Sequence, residues 1–559
     1  MKWFSRVWMI VAMLTLSCAQ QSVPTGGEKD AEGPKLIASE PTNRQTHYKK
    51  EEIILWFDEF IQLNNPREQI IIVPAVNKKN IEVTARKNKV IVRFKEPLKD
   101  STTYTVNFRE SIQDITERNV ATNLKLAFST GPVIDTLEVK GVITQLMTGE
   151  PEPNCTVALL PFSDTVDIFK YKPEYFTLTE KDGSYEISNV RPGNYLIYAF
   201  QDRNKNLIID SRTEMFGFRS STLNLSNINF TIDLSLIKLD MRPLKFVSAR
   251  PIAQQFIIRL NKGLEQFHVK PLDSTKAIYF DTPEPGLIRI YNTFTNQDSV
   301  AIQCNFRDSI QNIIDTLIYA RFLKQNSIFE KFSIQGDEIL YNSKLQIITG
   351  NFRFTKPVEK INSDSIYIST DSVNKIHVTE KNLLWNLTRT ECKLTLKTPE
   401  PLNFDKPNIR RTLGTGPKEK AINQLILKKG AFISVEKDSS HESIFRINEL
   451  KENERAVLLY QINSDKRSIT ELYQKDKTLM RGHEEKGKFE YINPGEYRLR
   501  VIIDNNGNGK WDWGNFYQLT EPEPVYHYEE KGKKDIPLKA NWEVGPLLIS
   551  LPNNVDNSQ

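Results

Sequence analysis

Two loops rich in aspartate and asparagine hold the residues with the clearest chemical potential in this chain of 559 residues. Their oxygen-bearing side chains recur at the same spacing, as Asp504, Asn506, Asn508 and Asp512, and as Asp202, Asn204, Asn206 and Asp210. Alternate residues of a tight loop can bring oxygens to one point, and Ca²⁺ takes about six to eight oxygen ligands. The carbonyl of Lys510 would add one more oxygen to the 504–512 loop.

Neither loop completes the pattern of a strong calcium site. Asn515 stands where an EF-hand-like loop has its bidentate glutamate, and in the earlier loop Leu207 replaces the turn glycine. With two carboxylates per loop, we predict weak Ca²⁺ binding at 504–512 and a weaker site at 202–210, with dissociation constants of about 10⁻⁴–10⁻³ M. A second interpretation stays open, in which each loop is a hairpin whose Asp and Asn side chains cap their own backbone.

No pattern typical of a catalytic site is found in the sequence. His-Glu-x-x-His and Gly-x-Ser-x-Gly are missing, and Gly507-Asn508-Gly509-Lys510 lacks the first glycine of a phosphate-binding loop. The histidines are scattered without metal-ligand spacing, at positions 47, 268, 377, 441, 483 and 527. We therefore predict no enzyme activity, no catalytic residue and no cofactor other than Ca²⁺ at the two loops.

Aromatic residues follow the second Asp/Asn loop directly, namely Trp511, Trp513, Phe516 and Tyr517. They could stack on a sugar ring, which would make the protein a glycan binder, or they could pack against an adjacent sandwich. We favour burial. Nucleic acid is excluded as a partner, since 75 Lys+Arg against 70 Asp+Glu give a nearly neutral charge of +5.

The N-terminus indicates export. Lys2 and Arg6 precede a short apolar run, 7–16. This run is too short to span a bilayer of about 30 Å. Residues 1–17 are thus a predicted signal peptide, and Ser17-Cys18 resembles the lipobox of bacterial lipoproteins. That resemblance implies that Cys18 is lipidated and that 18–33 is a lipidated flexible tether. A plain signal peptide with a chance cysteine is the alternative.

The three remaining cysteines are Cys155, Cys304 and Cys392, and each lies in a strand-like run. They are odd in number and far apart in sequence. In an oxidising compartment, such cysteines are most simply buried thiols in separate domains.

Alternating apolar residues begin after the tether and predict antiparallel strands with one buried face. Examples are Ile53, Leu55 and Phe57, and later Val90 and Val92. The succession PKLIASEPTN, ILWFDEFIQ and VIVRFKEPLKDSTTYTVNF resembles the bacterial Ig-like domain of the SbsA S-layer type. The resemblance covers 34–132 and implies a β-sandwich.

A repeat links the second and the last domain. GSYEISNVRPGNYLIYAFQDRNKNLIID at 183–210 and GKFEYINPGEYRLRVIIDNNGNGKWD at 487–512 share Pro-Gly-x-Tyr and the Asp/Asn loop in one register. Alternation along the later strand predicts that Arg498 and Arg500 point outward. The unit resembles carboxypeptidase-regulatory or transthyretin-like β-sandwiches, and it occurs twice.

Weaker echoes of the first domain complete the layout, and about 150 residues per domain already favour several domains. The chain resembles the multidomain Ig-like lipoproteins of the Bacteroidetes. We predict an all-β fold of tandem Ig-like and transthyretin-like β-sandwich domains. The predicted ranges are 1–17 signal peptide, 18–33 tether, 34–132 SbsA-type Ig-like domain, 133–238 transthyretin-like domain, 239–327 and 328–435 degenerate Ig-like domains, 436–545 second transthyretin-like domain and 546–559 disordered tail.

These features predict a non-enzymatic cell-envelope lipoprotein that acts as a structural or interaction module, adhesin-like or scaffold-like, in the form of a semi-rigid rod. The acyl anchor implies attachment to the outer membrane, at its periplasmic face or at the cell surface. The partner would be an unknown envelope protein or glycan. The alternative function is glycan binding in support of an outer-membrane uptake system.

Overall fold

The computed structural model describes residues 30–163, 165–226, 230–275, 277–293, 299–323, 330–370, 375–404, 423–475 and 477–551. The predicted signal peptide, Cys18, the tether up to residue 29 and residues 552–559 lie outside these ranges. The lipidation prediction therefore falls on a part of the chain that has no structural description here.

Nearly all regular structure is β-strand, which confirms the predicted all-β fold class. Within the residues that the structure describes, one short α-helix, α1, spans Pro66–Gln69. Single 3₁₀ turns lie at Lys78–Asn80, Ser363–Ser365, Glu380–Asn382, Glu452–Glu454 and Phe516–Gln518. Within the ranges given above, no helix has the length and apolar character needed to cross a membrane.

In the described part of the chain, eighteen strands precede residue 240. They are β1 Leu36–Glu40, β2 Glu52–Phe57, β3 Ile61–Leu63, β4 Ile71–Val73, β5 Ile81–Arg86, β6 Lys89–Phe94, β7 Thr103–Asn107, β8 Ile112–Asp114, β9 Lys125–Ser129, β10 Leu137–Gln145, β11 Thr156–Pro161, β12 Tyr175–Leu178, β13 Ser184–Val190, β14 Gly193–Phe200, β15 Phe216–Phe218, β16 Leu223–Leu225, β17 Phe230–Thr231 and β18 Leu234–Leu236.

The remaining strands follow in the same style, as short runs joined by turns. They are β19 Phe246–Ile252, β20 Gln255–Leu260, β21 Gln266–Pro271, β22 Phe280–Asp281, β23 Leu287–Tyr291, β24 Val300–Arg307, β25 Ile313–Ala320, β26 Ile334–Gly336, β27 Ile339–Asn342, β28 Ile347–Phe354, β29 Val358–Ile361, β30 Ile366–Ser369, β31 Lys375–His377, β32 Leu383–Trp385, β33 Glu391–Lys397, β34 Gln424–Leu427, β35 Phe432–Ser434, β36 Ser443–Glu449, β37 Ala456–Asn463, β38 Ser468–Gln474, β39 Lys477–Gly482, β40 Lys486–Ile492, β41 Gly495–Ile503, β42 Val525–His527, β43 Ile536–Leu538 and β44 Glu543–Ser550.

The chain divides into two compact units. Unit 1 comprises Met1–Val142, Pro153–Tyr198 and Thr222–Asp233. Unit 2 comprises Ile143–Glu152, Ala199–Ser221 and Leu234–Gln559. The boundary passes through β10 and β14, so each of these strands contributes residues to both units.

Unit 1 contains the predicted Ig-like domain, built from a sheet in the order β1-β2-β6-β5 and a sheet in the order β4-β7-β9. The alternation read from the sequence is confirmed there, because Ile53, Leu55, Phe57, Val90 and Val92 are all fully buried in one apolar core. The rest of unit 1 contains β12, β11 and β14 side by side, and β10 between antiparallel β13 and parallel β17.

Further apolar cores of unit 2 lie within 244–320, 332–447 and 456–551. The first lies between the sheets β19-β20-β23-β22 and β21-β24-β25, and the second beside the sheet β31-β30-β34-β36-β27-β28-β33-β32. The last domain pairs the sheets β40-β37-β44 and β39-β38-β41-β42. Inward residues alternate with outward ones on most of these strands, as expected for sandwiches.

Two predicted boundaries in unit 2 are wrong. We predicted that the last domain starts at 436, but β36 pairs with β27 and β34 of the preceding sheet, and Ile447 lies in the core of that domain. We predicted a disordered tail over 546–559, but residues up to Ser550 belong to β44, which runs parallel to β37. Leu547, Ile549 and Leu551 are buried, so apolar burial holds this segment in place.

Candidate functional site

The first parts of the two Asp/Asn loops share their hydrogen bonds. In the later loop, Asp504 Oδ1 accepts from the Asn508 amide at 3.0 Å and Oδ2 from the Gly509 amide at 2.9 Å. In the earlier loop, Asp202 accepts from the amides of Asn206 and Leu207 at the same two distances. The repeat read from the sequence therefore extends to single contacts.

The asparagines cap the backbone in the same way. Asn506 Oδ1 accepts from the Asn508 amide and Asn508 Oδ1 from the Lys510 amide. The earlier loop repeats both bonds through Asn204 and Asn206. These bonds match the hairpin interpretation, in which short polar side chains satisfy backbone donors that no strand partner reaches.

A buried glutamate supports each loop from below, and neither was included among the predicted ligands. Glu214 is fully buried and accepts from the amides of Arg203 and Asp210. Glu523 is 5 % exposed and accepts from the amides of Asn505 and Asp512. The two glutamates therefore occupy equivalent places, although they follow the first Asp of their loops at different distances in sequence.

Burial raises the pKa of both glutamates above its ordinary value, and the Asp carboxylates of the same loop add to the effect. For Glu523 these neighbours are Asp512 and Asp504. Three carboxylates thus crowd each loop. Nevertheless, across the described part of the chain, no group of three or more His, Cys, Asp or Glu side chains is arranged to hold a metal ion. Calcium binding at Asp504–Asp512 and Asp202–Asp210 stays a prediction.

The three cysteines of the described chain are buried and form no disulfide with one another. Burial raises the pKa of Cys304 and of Cys392 to about 12. Because the thiolate is the reactive form, these two thiols are poor nucleophiles at neutral pH. The prediction of three buried thiols, with Cys155 as the third, agrees with these positions.

Arg498 and Arg500, predicted to point outward, differ in how far they are exposed to solvent. Arg500 is only 9 % exposed, and its guanidinium lies 2.6 Å from Glu471 Oε2. Burial by itself would raise the pKa of Glu471, but Arg500 and Arg481 outweigh it and lower that pKa. The outer face of this sheet is therefore covered, so Arg500 points away from the apolar core as predicted but does not reach solvent.

The covering segment is Leu146–Glu150, which also belongs to unit 2. Arg500 Nη1 donates to the Met147 carbonyl at 2.8 Å, and Arg498 Nη1 lies 2.5 Å from Glu150 Oε1. A hairpin from the predicted second domain thus binds the predicted fifth domain. A rod in which only sequence neighbours touch does not describe unit 2.

The aromatic set after the second loop is divided between burial and exposure. Phe516 is 5 % exposed and meets Phe218 edge-on, with ring centroids 5.1 Å apart, so burial is confirmed for this residue. Trp511 and Trp513 are half-buried, with ring centroids 4.6 Å apart, and the Trp511 indole donates to the Glu523 carbonyl. Tyr517 remains 57 % exposed.

A small cavity lies in unit 1 between strands of the Ig-like domain and β12–β13. It holds about 20 Å³, enough for one water molecule. Lys125 and Glu186 line it and form an ion pair at 2.9 Å. This volume is too small for a substrate.

Residues 30–130 match the family described as bacterial Ig-like domain. This supports the Ig-like part of the resemblance read from 34–132. The match covers less than half of the chain, so it describes this domain and not the whole protein. No curated protein matches the sequence.

Solved structures show only distant likeness. The human desmocollin-1 ectodomain has 10 % identity and a TM-score of 0.14, over 54 % of this chain and 61 % of that one. The S-layer protein rSbsC has 10 % identity and a TM-score of 0.15, over 89 % and 67 %. BcpA, the major pilin subunit of Bacillus cereus, has 10 % identity and a TM-score of 0.14, over 75 % and 99 %. Such values carry no argument about function.

Proposed function

We propose that this protein is a non-enzymatic structural or interaction module of the bacterial cell envelope, built from tandem β-sandwich domains. The observation that carries the proposal is the use made of its polar residues. The charged and amide side chains that sequence patterns single out cap backbone groups or join segments of the fold, as Asp504 and Arg500 do. The bacterial Ig-like match at 30–130 supports the same conclusion.

Contacts between distant segments of unit 2 also support a mechanical role. Glu521 accepts from both the backbone amide and the hydroxyl of Ser220, and Asn515 Nδ2 donates to the Ile310 carbonyl. Gln255 donates to Glu436, and this bond joins two other domains of unit 2. Such polar contacts tie distant segments of unit 2 to one another.

We further propose that the protein is a lipoprotein of the outer membrane, anchored through Cys18. The support is the Ser17-Cys18 lipobox after the apolar run, together with the overall resemblance to Bacteroidetes Ig-like lipoproteins. Either the periplasmic face or the cell surface fits the proposal. A lipid anchor would present the sandwich domains beside the membrane to an envelope protein or a glycan.

Metabolic labelling with radioactive palmitate tests the anchor. The wild-type chain should carry label and sediment with membranes, whereas the Cys18→Ala variant should carry none. Equal labelling of the two forms would refute lipidation at this position. Photo-crosslinking in intact cells, followed by mass spectrometry, then identifies what the anchored protein contacts.

Glycan binding is the second candidate, favoured by the partly exposed aromatics of the 511–517 segment. Trp513 and Tyr517 retain accessible surface on which a sugar ring could stack. Polysaccharide binding should then fall in Trp513→Ala while the fold is kept, as judged by circular dichroism. Unchanged or absent binding to a panel of envelope and plant polysaccharides would count against this candidate.

A further inference from the structure

The contact between Leu146–Glu150 and the last domain has a titratable side chain at its centre. His527, on β42, lies with Nε2 3.0 Å from the Leu146 carbonyl oxygen. Its Nδ1 lies 3.4 Å from the hydroxyl of Tyr473, on β38. Because a carbonyl oxygen only accepts, Nε2 carries the hydrogen, and Nδ1 is left to accept from the tyrosine. The neutral ring therefore satisfies both contacts.

The segment fits against the ring without spare room. Gly149 has φ +66, and a Cβ at this position would lie 2.5 Å from the His527 ring. Lys534 donates to the Gly149 carbonyl, and Arg500 donates to the Met147 carbonyl. Hence three backbone carbonyls of one short segment are bound by side chains of the last domain. A larger residue at Gly149 would push the segment away from the His527 ring.

Positive charge dominates the surroundings of the ring. Lys534, Arg500 and Arg498 all disfavour a proton on it. The acidic groups nearby are already occupied, because Glu471 is paired with Arg500 and Arg481 on its own sheet.

Glu150 and Asp535 are the other carboxylates of this contact. Both are bound by Arg498, so neither is free to neutralise an imidazolium. A protonated His527 would be a further cation, half-buried and without a counter-charge, which makes the closed contact less favourable.

We propose that Leu146–Glu150 and the outer face of β41 and β42 form an acid-sensitive latch, which protonation of His527 opens. The latch ties a hairpin of the predicted second domain to the last domain inside unit 2. Its opening would release that hairpin while leaving the apolar core of the last domain intact, because that core lies on the other side of the sheet.

The direction of the effect follows from linkage. Burial first, and then the three cations, lower the pKa of His527 from 6.5 to about 4. The open form would hold a proton already near pH 6.5, and the closed form only near pH 4, so the latch is at full strength above pH 6.5 and weakens as the pH falls toward 4. Between pH 6.5 and pH 4 the closed-to-open ratio should fall about 80-fold.

Linkage supplies the test. If closing the latch lowers the pKa of His527, then protonation of His527 weakens the closed latch by the same factor. In the full chain, hydrogen–deuterium exchange at the imidazole C2 position, read by mass spectrometry across pH, reports the titration of each histidine. We expect His527 to titrate well below the exposed histidines in the wild type. In Glu150→Arg, where like charges meet Arg498, it should return about two pH units toward its ordinary value.

Glu496→Arg is the matched control, because Glu496 is exposed on the same strand β41 and takes no side-chain part in the latch. His527 should titrate there as in the wild type. Wild-type titration near 6.5 would overturn the proposal, as would a depressed titration that persists in Glu150→Arg. Gly149→Val, which puts a side chain against the ring, is a second disrupting variant and must shift His527 in the same direction.

Discussion

Two charged residues, Arg500 and Glu523, lie inside the fold and bind backbone groups there. Arg500 follows a strict outward alternation and still ends 9 % exposed, because a hairpin distant in sequence covers the outer face of its sheet. Glu523 was missed because it follows Asp504 by a longer stretch of chain than separates Glu214 from Asp202. A spacing pattern identifies residues that recur at one offset. It fails where two loops of different length place a glutamate in the same position.

Gly149 is the residue at which the close approach of two domains can be measured. Gly149→Ala should destabilise unit 2 by about 1–3 kcal/mol. The alanine would keep a positive φ that is strained for a residue with a Cβ, and its methyl group would overlap the His527 ring. Gly532→Ala is the control: its φ is +77, but nothing lies within 4 Å of the added carbon, so only the backbone cost of about 1 kcal/mol remains. Calorimetric unfolding that shows equal losses for the two variants would contradict the contact.

At the scale of elements, the sequence predicted most of what the structure contains. The strands of the Ig-like domain follow the period-2 pattern, and the two Pro-Gly-x-Tyr units fold alike. Tyr195 donates to the carbonyl of Arg191 at 2.9 Å, and Tyr497 donates to that of Asn493 at 2.7 Å. The misplaced ends, at β36 and β44, are strands that each run parallel to a partner far away in sequence, β27 and β37, and no local pattern reveals such pairing.

The two tyrosine hydroxyls should contribute equally to their domains. Tyr195→Phe and Tyr497→Phe keep the buried rings and leave one carbonyl unpaired, so each should cost about 0.5–1.5 kcal/mol. The loss is read from the shift of the matching calorimetric transition. Tyr319→Phe, at a residue 62 % exposed, is the comparison and should change almost nothing. If neither Tyr195→Phe nor Tyr497→Phe lowers the transition temperature of its domain, these hydrogen bonds do not stabilise the turns.

The Asp/Asn loops allow a direct test of the calcium prediction. Weak binding by the 504–512 loop should raise the melting temperature of the last domain in about millimolar Ca²⁺ relative to chelator. The rise should vanish in Asp512→Asn, because this change removes a carboxylate that accepts only from side-chain amides, while the backbone caps made by Asp504 remain. Identical melting curves with Ca²⁺ and with chelator would leave the loops as hairpins that cap themselves.

At the scale of the molecule, contacts between distant parts of unit 2 decide whether its domains behave independently. Beads on a string would unfold one by one, with each domain indifferent to its neighbours. Instead, Phe516 of the last domain packs on Phe218, Glu521 holds Ser220, and Arg498 holds Glu150. These bonds join residues about 300 positions apart, so no inspection of single domains could have predicted them.

Replacing Phe516 should uncouple these parts. Phe516→Ala removes a ring that is 5 % exposed and leaves a cavity beside Phe218, at a cost of about 3 kcal/mol. Since the ring serves two segments at once, limited proteolysis should then cut faster both in 199–221 and in 504–523. Tyr517→Ala is the matched control, because the adjacent side chain is 57 % exposed and its loss should leave both segments as resistant as before. Faster cleavage confined to 504–523 would mean that the ring stabilises only its own loop, and the domains of unit 2 would then have to be regarded as mechanically separate.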